Sequence, residues 1–109
     1  MITYDDFTKI EIRAGRVIKA EFFPKARQPA YKLWLDFGEL GIRQSSAQLT
    51  RRYQPTELEG RTLLAVTNLP ARQVADFRSE VLVLGAVPDE DDVILITPDA
   101  ATAPGTRIL

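Results

Sequence analysis

Hydrophobic and polar residues alternate along this chain in short segments that end at glycine or proline. The clearest alternation covers residues 31–37, YKLWLDF, in which every second residue is a core-type apolar residue. A period of two is typical of a strand with one buried face, and it predicts that Trp34 lies on the opposite, outward face. A longer strand is predicted over residues 10–23, with a bulge or sharp bend at Gly15.

Four further apolar segments, each bounded by turn residues, predict additional strands. They cover residues 40–47, 61–67, 79–87 and 93–97. Strands at this spacing favour a small all-β barrel that is closed or partly closed. A length of 109 residues fits one domain, so residues 1–109 are predicted to form a single unit.

The connections between the strands carry their own signals. Residues 38–41 are typical of a hairpin connection, and residues 48–53 predict a short helix that stops before Pro55. Residues 71–78 predict a polar connector. The four consecutive acids at residues 89–92 predict a solvated turn.

Composition removes several kinds of chemistry from consideration. The chain has no cysteine and no histidine, so it lacks disulfides, thiolates and the commonest general base and metal ligand. Ser45, Ser46 and Ser79 have no histidine to activate them, and residues 89–92 lack the ligand spacing of a calcium loop. We therefore expect no catalytic residue, no metal and no cofactor, and a protein that is not an enzyme.

The chain also lacks the segments that direct a protein into or across a membrane. No stretch approaches the ~18 consecutive apolar residues of a transmembrane helix. The N-terminus, MITYDDFTKIEIR, carries acids early and has no apolar stretch of the signal-peptide kind. These features predict a cytoplasmic protein that does not insert into membranes.

Charge is distributed unevenly along the chain. The net charge is −1, but residues 1–78 hold 13 basic and 9 acidic residues, whereas residues 79–109 hold 1 basic and 6 acidic residues. The whole chain thus lacks the strong positive charge of a dedicated nucleic-acid binder. The first two thirds allow either a local basic face or an ordinary solvated surface of mixed charge.

Three longer motifs together resemble a known family. They are IEIRAGRVIKAE in the first strand, YQPTELEG at residues 53–60 and NLPARQVADFRSE at residues 68–80. In this order and at this spacing they resemble the tRNA-binding-domain family, over about Phe7 to Leu109. The resemblance implies an OB-fold: a five-stranded barrel with a short helix between strands 3 and 4, here with extra terminal strands or turns.

Departures from the family pattern favour one branch. Members that bind tRNA well usually continue from Ser-Glu into Gly-Met, whereas this chain has Val81 and Leu82. The segments FPKARQPAYKLWLDFG, GIRQSSAQLTRRY and SEVLVLG are similar to CsaA-type export chaperones. This resemblance implies a homodimer that binds unfolded polypeptides or preproteins during protein secretion. The alternative is a module that binds tRNA or single-stranded nucleic acid, with weak tRNA affinity.

Candidate peptide-binding residues combine aromatic anchors with hydrogen-bonding groups. Apolar peptide side chains would be buried against the aromatic residues, while amide, hydroxyl and guanidinium groups would satisfy the peptide backbone. Structural roles compete with this interpretation: the polar cluster is also suited to stabilising a strand corner, and the arginine to solubilising a connector. The candidates are Trp34, Gln44, Ser46, Gln48, Arg72 and Phe77.

The nucleic-acid alternative uses cationic residues that pair with phosphates. An exposed indole such as Trp34 is also suited to stacking a base. Asn68, before Leu69 and Pro70, is expected to form a turn rather than bind a ligand. The candidate nucleic-acid residues are Arg13, Lys32, Arg43, Arg72 and Ser79.

A surplus of apolar positions predicts that the chain forms a homodimer. Phe7 lies in an N-terminal turn that Thr3 or Asp5 is expected to cap. The C-terminal tail ends in Ile108 and Leu109, which have no obvious place in a monomeric barrel. Phe7, Ile108 and Leu109 are therefore the predicted interface residues.

Overall fold

Ten strands and two short helices make up most of the computed structural model, which describes all 109 residues. The strands are β1 (Ile12–Phe22), β2 (Tyr31–Asp36), β3 (Ile42–Ala47), β4 (Thr62–Val66), β5 (Arg72–Val74), β6 (Phe77–Ser79), β7 (Leu82–Val83), β8 (Gly85–Asp89), β9 (Asp92–Leu95) and β10 (Arg107–Ile108). The helices are α1 (Tyr4–Thr8) and α2 (Pro55–Leu58). A 3₁₀ turn at Gly38–Leu40 connects β2 to β3, where the hairpin connection was predicted.

The main sheet is a nearly closed antiparallel barrel. Its strands follow the order β3-β2-β1-β4-β7, and β10 pairs with β1 outside this path. Strands β5 and β6 form one separate hairpin, and β8 and β9 form another. Five barrel strands with a short helix between β3 and β4 confirm the predicted OB-fold.

Alternation along β2 places one face of the strand in the barrel core. Tyr31, Leu33 and Leu35 are buried, and the residues between them are only half-buried on the outer face. The inward residues join a core cluster with apolar residues of β1, β3, β4 and α2. The outward placement of Trp34 that the sequence predicted is therefore confirmed.

Gly15 has a different role from the one that its position suggested. The irregularity in β1 lies between Val17 and Lys19, where the pairing with β2 shifts register. At Gly15, a Cβ atom would lie 2.5 Å from the Cε1 atom of Phe37. Glycine is required there because the aromatic ring of the barrel core packs directly on the backbone.

Hydrogen bonds from both the backbone and the side chains of Ser79 and Glu80 join β3 to the segment that leads into β7 and so close the barrel. The backbone N–H of Glu80 donates to the carbonyl of Gln44 over 2.8 Å, and the Glu80 carboxylate accepts from the Gln44 N–H over 3.0 Å. The Ser79 hydroxyl accepts from the backbone N–H of Ser46 over 3.0 Å. The Ser79-Glu80 pair thus satisfies strand donors that would otherwise lack a partner at this seam.

The short helix begins at Pro55, so the prediction for residues 48–53 was wrong. These residues form an irregular segment that contains a turn at residues 50–52, and α2 follows them. Proline fits the first helical turn, because the N–H that it lacks has no partner there in any helix. The Glu57 carboxylate accepts from the backbone N–H of Gln54 over 2.8 Å, which caps the helix start.

The segment predicted as a polar connector is a β-hairpin, formed by β5 and β6. Its turn contains Ala75 at φ +52°, a left-handed conformation that is uncommon for a residue other than glycine. The single strand predicted over residues 79–87 is also divided. It forms β7 in the barrel and β8 in the separate β8–β9 hairpin.

The acidic turn at residues 89–92 is only partly solvated. Asp92 is buried, with only 6% of its surface exposed. Its carboxylate accepts two hydrogen bonds from the Arg52 guanidinium, and in one of them Nη2 of Arg52 lies 2.7 Å from Oδ2 of Asp92. The hydrogen bond from Arg52 holds the pKa of Asp92 below its usual value. This ion pair fastens the β8–β9 hairpin to the segment before α2.

Both chain ends are ordered by specific hydrogen bonds or strand pairing. Thr3 caps α1, since its hydroxyl accepts from the N–H of Asp6 and the Asp6 carboxylate accepts from the N–H of Thr3. At the other end, Ile108 pairs with Ile12 of β1. The expectation that this tail has no place in the monomer was therefore wrong for Ile108, while Leu109 extends beyond the pairing and is exposed.

Candidate functional site

A second apolar cluster lies outside the barrel, beneath the β5–β6 hairpin. Phe23, Ala30 and Phe77 are buried in it, with Trp34 and Val74 among the residues packed around them. The Phe77 ring contacts the Phe23 ring edge to face, with the centroids 5.5 Å apart. The hairpin therefore covers the outer face of β2, with Phe77 of the hairpin packed on Trp34 of β2.

Two adjoining concavities follow this hairpin, and we refer to them together as the hairpin groove. They meet at Ser46 and Arg72, which line both. The smaller one has a volume of about 210 Å³ and is lined by Ser46, Leu69, Pro70, Arg72, Ser79, Glu80, Val81 and Leu82. The larger one has a volume of about 370 Å³ and is lined by Lys25, Ala26, Arg27, Gln28, Ala30, Ser46, Gln48, Arg72, Gln73, Val74 and Ala75.

The groove brings three of the predicted peptide-binding residues together. Ser46, Gln48 and Arg72 all line the larger concavity. Ser46 is half-buried between the two concavities, and Arg72 is exposed on β5. Trp34 and Phe77 do not line either concavity, so they contribute to the site through the cluster beneath it.

Gln44 and Ser79 already have partners within the fold. The side-chain amide of Gln44 donates to the carbonyl of Arg78 over 2.8 Å. Ser79 is buried, and its hydroxyl accepts from Ser46 at the barrel seam. For Gln44 this is the strand-stabilising role that competed with ligand binding, and Ser79 has a similar structural role that the sequence did not indicate.

The cationic lining of the groove includes two arginines without an acidic partner. Arg27 and Arg72 take part in none of the five ion pairs of the chain. Lys25, by contrast, donates to the Asp76 carboxylate over 2.8 Å and so connects the β1–β2 loop to the hairpin turn. This hydrogen bond lowers the pKa of Asp76 and raises the pKa of Lys25.

Of the predicted nucleic-acid residues, Arg72 and Ser79 are paired across the hairpin and line the smaller concavity together, whereas Arg13 lies elsewhere. The Arg13 guanidinium donates to Glu11 and to the carbonyl of Gly105, in a separate concavity away from the groove. Nε of Arg43 donates to the carbonyl of Leu40. The ammonium of Lys32 lies 4.8 Å from the centroid of the Phe23 ring.

The predicted interface residues differ in their exposure. Leu109 is exposed, Phe7 is half-buried on α1, and Ile108 is half-buried in its pairing with β1.

The Asn68 side chain accepts from the N–H of Glu11 and donates to the carbonyl of Lys9, so it joins the end of β4 to the N-terminal segment.

Several lining residues could not be found from the sequence. Arg27 lies in a loop with prolines at both ends, and that loop was assigned no ligand role. Leu69, Pro70 and Leu82 were treated as turn or strand residues, yet they form the apolar wall of the smaller concavity.

No group of three or more acidic residues is arranged to hold a metal ion. Neither helix has the length and hydrophobicity of a membrane span.

The chain is similar to a tRNA-related protein family and to proteins of known structure. A family model described as "Putative tRNA binding domain" matches residues 12–107. The chain is similar to a methionine–tRNA ligase of Methanococcoides burtonii, with 37% identity over 108 residues. That match covers 99% of the chain but only 16% of the ligase.

Two of the solved structures that match the chain over its whole length are CsaA chaperones. The chaperone CsaA from Bacillus anthracis is 50% identical, with a TM-score of 0.97 and coverage of 100% of this chain and 99% of that one. The CsaA chaperone protein from Picrophilus torridus is 47% identical, with a TM-score of 0.92 and full coverage of both chains.

Proposed function

This chain belongs to the putative tRNA-binding-domain family, and from that premise we propose that it is a chaperone of the CsaA kind. It would hold unfolded or export-bound polypeptides during protein secretion, in the hairpin groove. The similarity to two CsaA chaperones over the full chain supports this assignment.

The observation that carries the proposal is the mixed lining of the groove. An extended polypeptide has apolar side chains to bury and backbone groups that need partners when they leave water. Leu69, Pro70 and Leu82 supply an apolar wall, and Ser46 and Gln48 supply groups that both donate and accept. An unpaired backbone group costs on the order of 1–3 kcal/mol when buried, so both kinds of lining are needed.

We further propose that the working form is a cytoplasmic homodimer. Ile10, next to β1, and Leu109, after β10, are exposed apolar residues at the same edge of the barrel. Exposed apolar side chains that lie close together favour a partner surface. A second copy of the chain would cover this edge.

A tRNA-binding function is the second candidate, and two findings favour it. They are the family description and the similarity to part of a methionine–tRNA ligase. Against it, Arg13 and Arg43 lie apart from the groove and already have hydrogen-bond partners. The cationic residues of the groove are Lys25, Arg27 and Arg72, and Lys25 is already paired with Asp76, so we propose weak and mainly electrostatic tRNA binding.

Substitution of Ser46 tests the proposed site directly. Ser46 lines both concavities, so the Ser46→Tyr side chain should fill the groove and weaken binding of a labelled unfolded peptide by about tenfold or more. Ile42→Tyr is the matched control, because Ile42 lies on the same outer face of β3 but lines neither concavity. Equal peptide affinity in both variants would remove the groove from the proposal.

A further inference from the structure

The two ends of the hairpin groove differ in chemistry. The smaller concavity has an apolar wall of Leu69, Pro70 and Leu82 and a single cation, Arg72, together with the acid Glu80. The larger concavity has three cations and no acid, and its apolar residues are small: three alanines and one valine. A ligand that fits both ends must therefore present an apolar group at one end and a group suited to cations at the other.

The cationic end has unused capacity for a carboxylate. Arg27 and Arg72 form no ion pair within the chain, and the one acid at the hairpin turn, Asp76, is bound by Lys25. Glu80, which lines the smaller concavity, accepts a hydrogen bond from the Gln44 N–H. A guanidinium is a rigid fork of donors that matches the two oxygens of a carboxylate.

These observations lead to one ligand class. We infer that the hairpin groove selects polypeptide segments in which Asp or Glu lies within a few positions of a large apolar side chain. This inference rests on the proposed function, because it assumes that the groove holds polypeptide. Arg27 and Arg72 are the specificity-determining residues, and the apolar wall anchors the neighbouring side chain.

A polynucleotide is a poorer match for the same lining. It carries a negative charge on every nucleotide, so it needs cations along the whole groove, whereas Arg72 is the only cationic residue of the smaller concavity. Binding of single strands also relies on aromatic rings that stack on bases. No aromatic residue lines either concavity, because the Phe77 ring of the hairpin faces Trp34 in the cluster between the hairpin and β2.

The test uses matched peptides and matched variants in fluorescence anisotropy titrations. One short labelled peptide carries a Leu-Phe pair flanked by Glu residues, and its partner carries Gln in place of each Glu. We expect the Glu peptide to bind about tenfold more tightly than the Gln peptide. Arg27→Gln and Arg72→Gln should each remove most of this difference, because Gln retains hydrogen-bonding groups but carries no charge to pair with a carboxylate.

Arg16→Gln is the control variant, because Arg16 is exposed, forms no ion pair and lines neither concavity. It should leave the difference between the two peptides intact. Equal binding of both peptides to the unaltered protein would overturn the inference and leave the proposed function standing. If neither peptide binds, and a single-stranded RNA oligonucleotide binds in a way that Arg72→Gln weakens, both the inference and the proposed function fail.

Discussion

The ring of Phe77 meets the ring of Trp34 edge to face, with the centroids 5.9 Å apart and the planes inclined at 84°. This contact joins the β5–β6 hairpin to the outer face of β2, which belongs to the barrel. Aromatic pairs in this arrangement contribute about 0.5–1.5 kcal/mol beyond the area they bury. The position of the hairpin, and hence the shape of the hairpin groove, depends on it.

Removal of the Phe77 ring should loosen the hairpin before the barrel unfolds. Phe77→Ala deletes a buried ring, and such changes typically cost about 3–5 kcal/mol. We expect faster amide hydrogen exchange across residues 72–79 and a change in emission from Trp34, which is the single tryptophan. Protection of the barrel strands should be retained. Uniform loss of protection throughout the chain would show that the hairpin and barrel form one cooperative unit.

Addition of a methyl group at Gly15 should destabilise the barrel core. A Cβ atom would lie 2.5 Å from the Phe37 ring, so Gly15→Ala forces the ring or the backbone to move, at a cost of about 1–3 kcal/mol. Denaturant unfolding would measure this loss. A second substitution, Phe37→Leu, removes part of the ring, so the double variant should lose less stability than the two single losses added together. Strict additivity would contradict the proposed contact.

The four acids of residues 89–92 should differ sharply in their effect on stability. Asp92→Asn breaks the ion pair with Arg52, so it should lower the melting temperature at neutral pH. Asp91→Asn is the matched control, because Asp91 is exposed and forms no ion pair. Equal melting temperatures of the two variants would show that Asp92 behaves like its solvated neighbour.

The contribution of Asp92 should also depend on pH in one direction. Its pKa is lowered in the folded state by the hydrogen bond from Arg52. The unfolded chain therefore binds the proton more readily, and the stabilisation is present above the unfolded pKa of about 3.9. It is lost as the pH falls through the lowered folded pKa. The gap in melting temperature between unaltered protein and Asp92→Asn should thus narrow below about pH 4.

Oligomeric state can be tested at the edge that carries Leu109. If the chain forms a stable homodimer, light scattering at about 10 μM should give twice the monomer mass. Leu109→Asp should shift the protein toward monomer, because it introduces a charge into the proposed interface. Val87→Asp, at an exposed position on β8, should leave the dimer intact. A monomeric mass for the unaltered protein would contradict the dimer.

The strands of the barrel could be predicted because alternation records which face is buried. In β2 each inward residue is apolar, and burial follows that pattern from Tyr31 to Asp36. The sequence alone therefore indicates which side chains of β2 face the barrel core. The same logic placed Trp34 outward, although it gave no indication that Phe77 would cover it.

Elements defined by side-chain partners could not be predicted in this way. The β5–β6 hairpin has strands of three residues and a turn at Ala75, without the glycine that usually marks such turns. Pro55 was interpreted as a helix stop, although proline is equally suited to a helix start. The acidic turn gave no sign of which carboxylate would meet Arg52, because that contact spans 40 residues.

Only the residues of the candidate site whose own chemistry suggests ligand binding could be predicted from the sequence. Ser46, Gln48 and Arg72 were identified by their chemistry, and the fold brings them together at one concavity. Arg27 and Leu69 were missed because each lies in a loop whose position depends on the finished barrel.

A pair of binding titrations, at low and at moderate salt, tests the central claim most directly. A labelled unfolded polypeptide and a tRNA are each titrated with the protein. Binding of polypeptide in the hairpin groove predicts that the polypeptide binds more tightly than tRNA at both salt concentrations, and that tRNA affinity falls more steeply than polypeptide affinity as salt rises. Tight tRNA binding that survives moderate salt, with no measurable binding of polypeptide, would contradict the chaperone assignment.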